Sequence, residues 1–325
     1  MKIVYASNDN YARHLGVSMC SLFDSNQGAE EIEVYILSMG IGADSRRKLA
    51  EIGDRYGRKL FYVEMTDLEE RIAFSVDTGR FDISTLGRLF IGEMLPEEVE
   101  RCIYLDCDTV VVRSLDRLWK AGLGGAVIGA VQEPTIYRKV KEAIGLSEDE
   151  PYYNAGVLLV DLKAWRQADT GKKLMDFYGE RDGRLLANDQ DVINGTLKGR
   201  ILGLPPKYNF FPNYRYFSYG ALVKYAPVYG SVTKKQFQAA KRHPVIIHYM
   251  GDERPWIAGN LNHYRRAYEK YLARTGWAGT PKTPGKRLYM LAYHGMDYLT
   301  AVCPRARFFI GKRLGVKMME EQMNK

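Results

Sequence analysis

The stretch Arg101-Cys102-Ile103-Tyr104-Leu105-Asp106-Cys107-Asp108-Thr109-Val110-Val111-Val112 sets two carboxylates between two apolar runs. Burying an ionised carboxylate without a partner is costly, and two close together repel, so that one ordinarily keeps its proton. A divalent cation removes both problems, and hard oxygen donors of this kind suit Mg²⁺ or Mn²⁺. The same pair would also serve as a solvated turn in which one Asp caps a helix. The apolar flanks on both sides bring the metal reading level with the turn.

Four further constellations carry chemistry. His248-Tyr249-Met250-Gly251-Asp252-Glu253-Arg254 follows an apolar run. Gly251 permits close backbone approach, and Arg254 offers a fork of donors suited to phosphate. A histidine after a strand is also a common structural residue. In Tyr152-Tyr153-Asn154-Ala155-Gly156, Asn154 precedes a buried run and could bond sugar hydroxyls, or simply mark a turn. Asn188-Asp189-Gln190-Asp191 presents carboxylate, amide and carboxylate at a helix start, where an N-cap with first-turn acids would suffice as explanation. Arg88, in Leu86-Gly87-Arg88-Leu89-Phe90, is either a solvated helix residue or a cation of the site.

These residues need elements to hold them. Apolar runs at 3–6, 32–37, 60–63 and 102–105 alternate with helical spacing at Leu15, Ser18, Met19 and Leu22, then Leu49, Ile52 and Tyr56, then Leu86, Leu89, Phe90 and Met94. Such β-α alternation predicts an α/β fold whose parallel sheet carries helices on both faces. Ligands of such sheets bind outside the C-terminal strand ends. Asn8-Asp9-Asn10 and Asp106-Cys107-Asp108 both fall there. Further along, strands are expected at 127–131, 157–160 and 245–247, the last delivering His248. Helices are expected at 162–178, from about 189, and at 256–272. The segment 208–229 is crowded with aromatic residues, which read either as an acceptor wall or as core. Residues 276–285, rich in Gly, Pro and Thr, read as a linker.

The 325 residues suffice for one large α/β domain, and the net charge is +8. From 281 to 325 there are nine Lys and Arg against three acids, so most of the excess sits in the tail. A nearly neutral body argues against nucleic acid, which needs an extended basic groove. The four cysteines form no C-x-x-C pair and fit a reducing compartment. No run of about 18 apolar residues predicts a membrane span, and the N-terminus is too short in apolar residues for a signal peptide. Leu288, Leu291, Leu299 and Val302 fall near one helical face, followed by Phe308, Phe309, Ile310 and Leu314 among Arg and Lys. A basic, aromatic amphipathic tail of this kind predicts binding to an anionic membrane surface. A helix pair docked on the domain is the alternative.

Taken together, order and spacing resemble glycosyltransferase family 8, in particular its bacterial lipopolysaccharide and lipooligosaccharide galactosyl- and glucosyltransferases, over about residues 1–270. The resemblance implies a single Rossmann-like nucleotide-sugar-binding domain of the GT-A type at 1–275, with a mostly parallel central sheet. A linker and basic amphipathic helical extension follow at 276–325. It implies a UDP-sugar donor carrying glucose or galactose, a glycan or lipid-linked acceptor, retention at the anomeric carbon, and a cytoplasmic enzyme peripheral on the inner membrane face. Carried over residue by residue, Asp106, Asp108 and His248 match the Mn²⁺ ligands. Ala6, Asn8 and Asn10 match the uridine-binding turn. Arg88, Asn154 and Asp189 match donor-sugar contacts, Gln190 the residue beside the reacting face, and Gly251 and Arg254 the diphosphate clamp. The chain departs from the pattern at Asn8, where Asp is usual, at Arg254, where Lys is usual, and at Gln132, where relatives often carry a sugar-contacting Asp. A nucleotidyltransferase or a non-catalytic nucleotide-sugar-binding protein is the competing reading. The first would carry a Gly-rich basic loop after the first strand, where this chain has Ser7-Asn8-Asp9-Asn10-Tyr11.

Overall fold

The computed structural model describes residues 1–79, 82–134, 138–285 and 287–310. The described residues include nine strands: β1 (Lys2–Asn8), β2 (Glu33–Met39), β3 (Lys59–Glu64), β4 (Arg101–Leu105), β5 (Thr109–Val111), β6 (Ile128–Gln132), β7 (Tyr153–Asp161), β8 (Ile201–Leu204) and β9 (Ile246–His248). Seven form one sheet in the order β3-β2-β1-β4-β7-β6-β8, and β5 pairs with β9 in a separate ribbon. The first four sheet strands run parallel, as the alternation predicts. β7 is inserted antiparallel to both β4 and β6, and β8 then joins β6 in parallel.

Strand residues alternate between two cores, as a period of two requires. Ile3, Tyr5, Ile36, Ile103 and Leu105 point into one, with Leu15, Leu22 and Ile52 of helices Ala12–Ser25 and Ala43–Arg55. Val4, Leu37, Cys102 and Tyr104 point into the other, with Leu86, Trp165 and Val192. Both faces are thus covered, which is the arrangement a parallel sheet needs.

Several expected elements are reshaped by local hydrogen bonding. The helix expected at 162–178 is two, Leu162–Gln167 and Thr170–Gly179, separated by Asp169 at φ 48°. The helix expected at 256–272 begins only at Arg265. Before it, Asn260 Oδ1 accepts from Asn262 N and Asn262 Oδ1 from Tyr264 N, side-chain turns that compete with helix. Leu86, Leu89 and Phe90 lie on a tight 3₁₀ segment, Ile83–Phe90, with a short α-turn Ile91–Met94 after it.

The aromatic segment forms a third core of its own. Phe210, Phe211, Tyr214, Phe217 and Tyr229 close on Phe237. Residues 276–285 are tied down: Thr283 N donates to Trp256 O and Ala258 N to Thr283 O. Helix Arg287–Val302 then docks with Met290, His294, Asp297 and Thr300 buried. Its other face, with Pro304–Ile310, leaves Leu288, Leu291, Tyr298, Leu299, Val302 and Phe309 exposed, while Phe308 meets Phe217 and Tyr225. Lys286, Lys312, Arg313, Leu314, Lys317 and Lys325 of the basic tail lie outside the described residues. No described helix is long and apolar enough to cross a membrane.

Candidate active site

Asp106 stands just beyond β4, held by the strands around it. Its N–H donates to Gly156 O (2.8 Å), and its carbonyl accepts from Thr109 N (3.2 Å) and Thr109 Oγ1 (2.7 Å). This turn throws the chain into β5, whose Thr109 pairs with His248 of β9. The two acids and the imidazole therefore converge, with one ligand atom from each lying within 4.8 Å of the others. His248 Nε2 is 3.1 Å from Asp108 Oδ1 and 3.7 Å from Asp106 Oδ2.

The electrostatics fit a cation. Burial pushes the Asp108 carboxyl up, but attraction and a hydrogen bond from His248, with Arg254 behind it, hold it below the usual carboxylate range. Burial likewise pulls the His248 pKa down, and the two carboxylates more than reverse this. A metal ion would take the place of that extra proton, since imidazole binds metal in its neutral form. The three side chains open into a cleft of about 510 Å³ lined by six carboxylates, those of Asp82, Asp106, Asp108, Glu133, Asp189 and Asp252, against the two guanidiniums of Arg88 and Arg254. Such a surplus of partly buried negative charge calls for added positive charge.

Arg88 is no solvated helix residue. It is 4% exposed and bridges two acids, with Nη2 2.8 Å from Asp106 Oδ1 and Nε 2.9 Å from Asp189 Oδ2. Burial would lower its pKa, but the two carboxylates raise it, so it stays charged. Asp189 is pushed up to about 6 by burial, against the pull of Arg88. Asn188 makes no capping bond; its side chain meets Tyr178 and Thr85, while Asp191 Oδ2 takes the Ala187 N–H. Across the cleft, Asn154 Nδ2 donates to Gln190 Oε1 (2.9 Å), and Gln190 Nε2 donates to Tyr152 OH (3.2 Å). At the other end, Gly251 takes φ 61°, a backbone that glycine adopts freely, and leads to Arg254. Arg254 lines the cleft, and its buried Nε meets no acceptor there.

The sequence model for "Glycosyl transferase family 8" matches residues 2–259. The chain belongs to this family. General stress protein A of Bacillus subtilis (strain 168) is 27% identical over 281 residues, 85% of this chain and 94% of that protein. Lipopolysaccharide 1,2-glucosyltransferase of Escherichia coli (strain K12) is 25% identical over 280 residues, 83% of this chain and 78% of that one. The crystal structure of galactosyltransferase LgtC in complex with donor and acceptor sugar analogs superimposes with a TM-score of 0.71 at 27% identity, covering 85% of this chain and 96% of LgtC. This family 8 chain is accordingly a glycosyltransferase of GT-A architecture.

In this family 8 enzyme Ala6, Arg88, Asp106, Asp108, Asn154, Asp189, Gln190, His248, Gly251 and Arg254 all line the one cleft. Asn8 and Asn10 stand outside its lining. The Asn8 amide is engaged by Tyr11 N and Asp82, and Asn10 is exposed; Tyr11 takes the place beside Ala6. Gln132 is buried away from the cleft, bonded to Val228 O and Ser231, while its neighbour Glu133 faces in and accepts from Asn154 and Gln190 (3.3 Å each). A register irregularity between Ala130 and Val131 lies just upstream. A bulge of this kind shifts which residues face a given side, so counting by twos mistakes the one for the other. No residue of the 208–229 aromatic segment is among those lining this cleft, and Phe210, Phe211, Tyr214, Phe217 and Tyr229 are buried in the third core.

Proposed function

We propose that this chain is a retaining, metal-dependent hexosyltransferase that moves glucose or galactose from a UDP-sugar to a glycan or glycolipid acceptor of the lipopolysaccharide type. The convergence of Asp106, Asp108 and His248 opposite Arg254 carries this reading. Supporting it, LgtC is a galactosyltransferase solved with donor and acceptor sugar analogs, and the E. coli relative is a lipopolysaccharide glucosyltransferase.

Asp106, Asp108 and His248 would hold the cation; mixed oxygen and nitrogen ligands favour Mn²⁺, with Mg²⁺ as substitute. When bound, such an ion neutralises negative charge on the diphosphate as a Lewis acid. Arg254 supplies fixed positive charge to the same group, placed before the reaction begins. Asn154, Asp189 and Arg88 orient the sugar, which converts binding energy into correct placement. Retention follows from attack on the face the diphosphate leaves. The anomeric carbon–phosphate oxygen bond breaks, the acceptor oxygen bonds to that carbon, and the acceptor's proton passes to the departing phosphate. Gln190 has no carboxylate for a covalent intermediate, and its Oε1 already accepts from Asn154 and Ala155.

The exposed apolar residues of the tail, beside Arg305 and Arg307, would seat the enzyme on the cytoplasmic face of an anionic membrane, near a lipid-linked acceptor. The test of the catalytic reading is UDP release from UDP-glucose and UDP-galactose with Mn²⁺. EDTA should abolish it and Asp108→Ala should lower it by roughly 10²-fold or more. Undiminished turnover in EDTA, or donor binding without any turnover, overturns it.

A further inference from the structure

No motif marks Asn209, yet it joins the two halves of the cleft from behind. It is 1% exposed and sits in the segment that runs beside β9, where Phe210 N donates to Ile246 O and His248 N to Phe210 O. Its Oδ1 lies 2.9 Å from His248 Nδ1, and its Nδ2 donates to Asn154 Oδ1 at 2.8 Å.

The direction of every bond in this chain of amides follows from two backbone groups. The Gly156 N–H donates to Asn154 Oδ1 (2.9 Å), and the Ala155 N–H donates to Gln190 Oε1 (3.1 Å). A backbone N–H can only donate, so both side-chain atoms must be oxygens. Asn154 Oδ1 therefore requires an N–H from Asn209, which leaves the Asn209 oxygen turned to the imidazole. That oxygen can only accept, so His248 Nδ1 must carry a proton. Its Nε2 is left as the nitrogen that faces Asp106 and Asp108. The polarity of two strand amides thus reaches the metal-binding nitrogen through one carboxamide.

We propose that Asn209 is a positioning residue that fixes the tautomer and aim of His248 and locks it to Asn154 and Gln190, so that the cation site and the sugar-facing amides form one cooperative unit. The proposal rests on the reading of His248 as a metal ligand. Partners behind a metal-binding histidine typically change metal affinity or activity by about 10–100-fold when removed.

Two substitutions separate the two bonds. Asn209→Ala deletes both. Asn209→Asp keeps an acceptor for His248 Nδ1–H but sets an acceptor against Asn154 Oδ1, which Gly156 N–H prevents from turning away. The experiment measures Mn²⁺ affinity by calorimetry and kcat for UDP release, with thermal melting as control. Asn209→Ala should weaken Mn²⁺ by about 10–100-fold and lower kcat. Asn209→Asp should bind Mn²⁺ at least as tightly as wild type while kcat falls about tenfold or more. Equal losses of affinity, kcat and melting temperature in both variants would mark a merely structural residue and overturn the proposal. So would wild-type Mn²⁺ affinity in Asn209→Ala. Imidazole nitrogen NMR of wild type provides a test that needs no variant: the neutral His248 should carry its single proton on Nδ1, and a neutral ring with its proton on Nε2 instead refutes the assignment. Wild-type protein that takes up no Mn²⁺ while His248 is protonated at Nδ1 would fault the metal reading instead, and the coupling with it.

Discussion

A methyl group built on Gly156 would lie 2.3 Å from His248 Cε1 and 2.7 Å from Asp106 Oδ2, both closer than real contacts allow. The strand behind the ligands must therefore be bare at this position. Gly156→Ala should fold, because the clash falls on side chains that line the cleft, but its Mn²⁺ affinity should drop at least about tenfold. Calorimetric titration checks this, and wild-type affinity would refute it. At this scale the sequence was informative where residue type is costly to misplace: buried acids beside one another, an asparagine before a buried run, an arginine near a strand end. It was uninformative at Glu133, because a bulge upstream shifts the facing of the strand, and at Asn209, because a carboxamide ahead of aromatic residues carries no local signal.

Elements were legible where one period persisted. The strands from β1 to β4 and their helices follow from alternation of apolar runs. The antiparallel course of β7 does not, since a fully buried strand reads the same in either direction. Helices 162–178 and 256–272 were overextended because side-chain and left-handed turns interrupt an unbroken apolar pattern. The tail helix supplies a prediction that belongs here. Tyr289 OH donates to Asp252 Oδ2 (2.7 Å), Tyr293 OH to Glu253 Oε1 (3.0 Å), and Leu261 N to His294 Nε2 (2.9 Å). Helix Arg287–Val302 thereby grips the loop that carries Gly251 and Arg254. Tyr293→Phe withdraws a partly buried hydrogen bond worth about 0.5–1.5 kcal/mol. Steady-state kinetics should show donor KM raised several-fold with a smaller change in kcat, and an unchanged KM would separate the tail from donor binding.

For the whole molecule, buried acids set the pH response of the metal-free protein. Burial, with Asp297 nearby, raises Glu253 from 4.5 to about 8, and burial raises Asp191 from 3.8 to about 7. A carboxyl whose folded pKa lies above its unfolded value holds more protons folded than unfolded between the two. Stability therefore falls as pH rises through that window, here from about 4 to about 8. Thermal melts should show a falling midpoint from pH 6 to pH 9. Glu253→Gln should flatten the slope, and a midpoint that rises over this range would refute the assignment. The exposed apolar face of the tail makes a second expectation: co-sedimentation with anionic vesicles should be lost when residues 281–325 are removed, and retained binding would locate the contact elsewhere.

The ribbon of β5 and β9 has a consequence for how the enzyme is made. Thr109 and His248 are neighbours in space but far apart along the chain. A nascent polypeptide emerges from its N-terminus, so Asp106 and Asp108 leave the ribosome well before the imidazole that completes their set. Until β9 arrives, Arg88, which comes earlier in the chain, pairs with Asp106, but Asp108 lacks its imidazole partner. Closing so long a loop carries an entropic cost that the ribbon's few backbone bonds must meet. Cation capture would then be a late event of maturation, marking chains whose C-terminal strand has found its place and holding that closure shut.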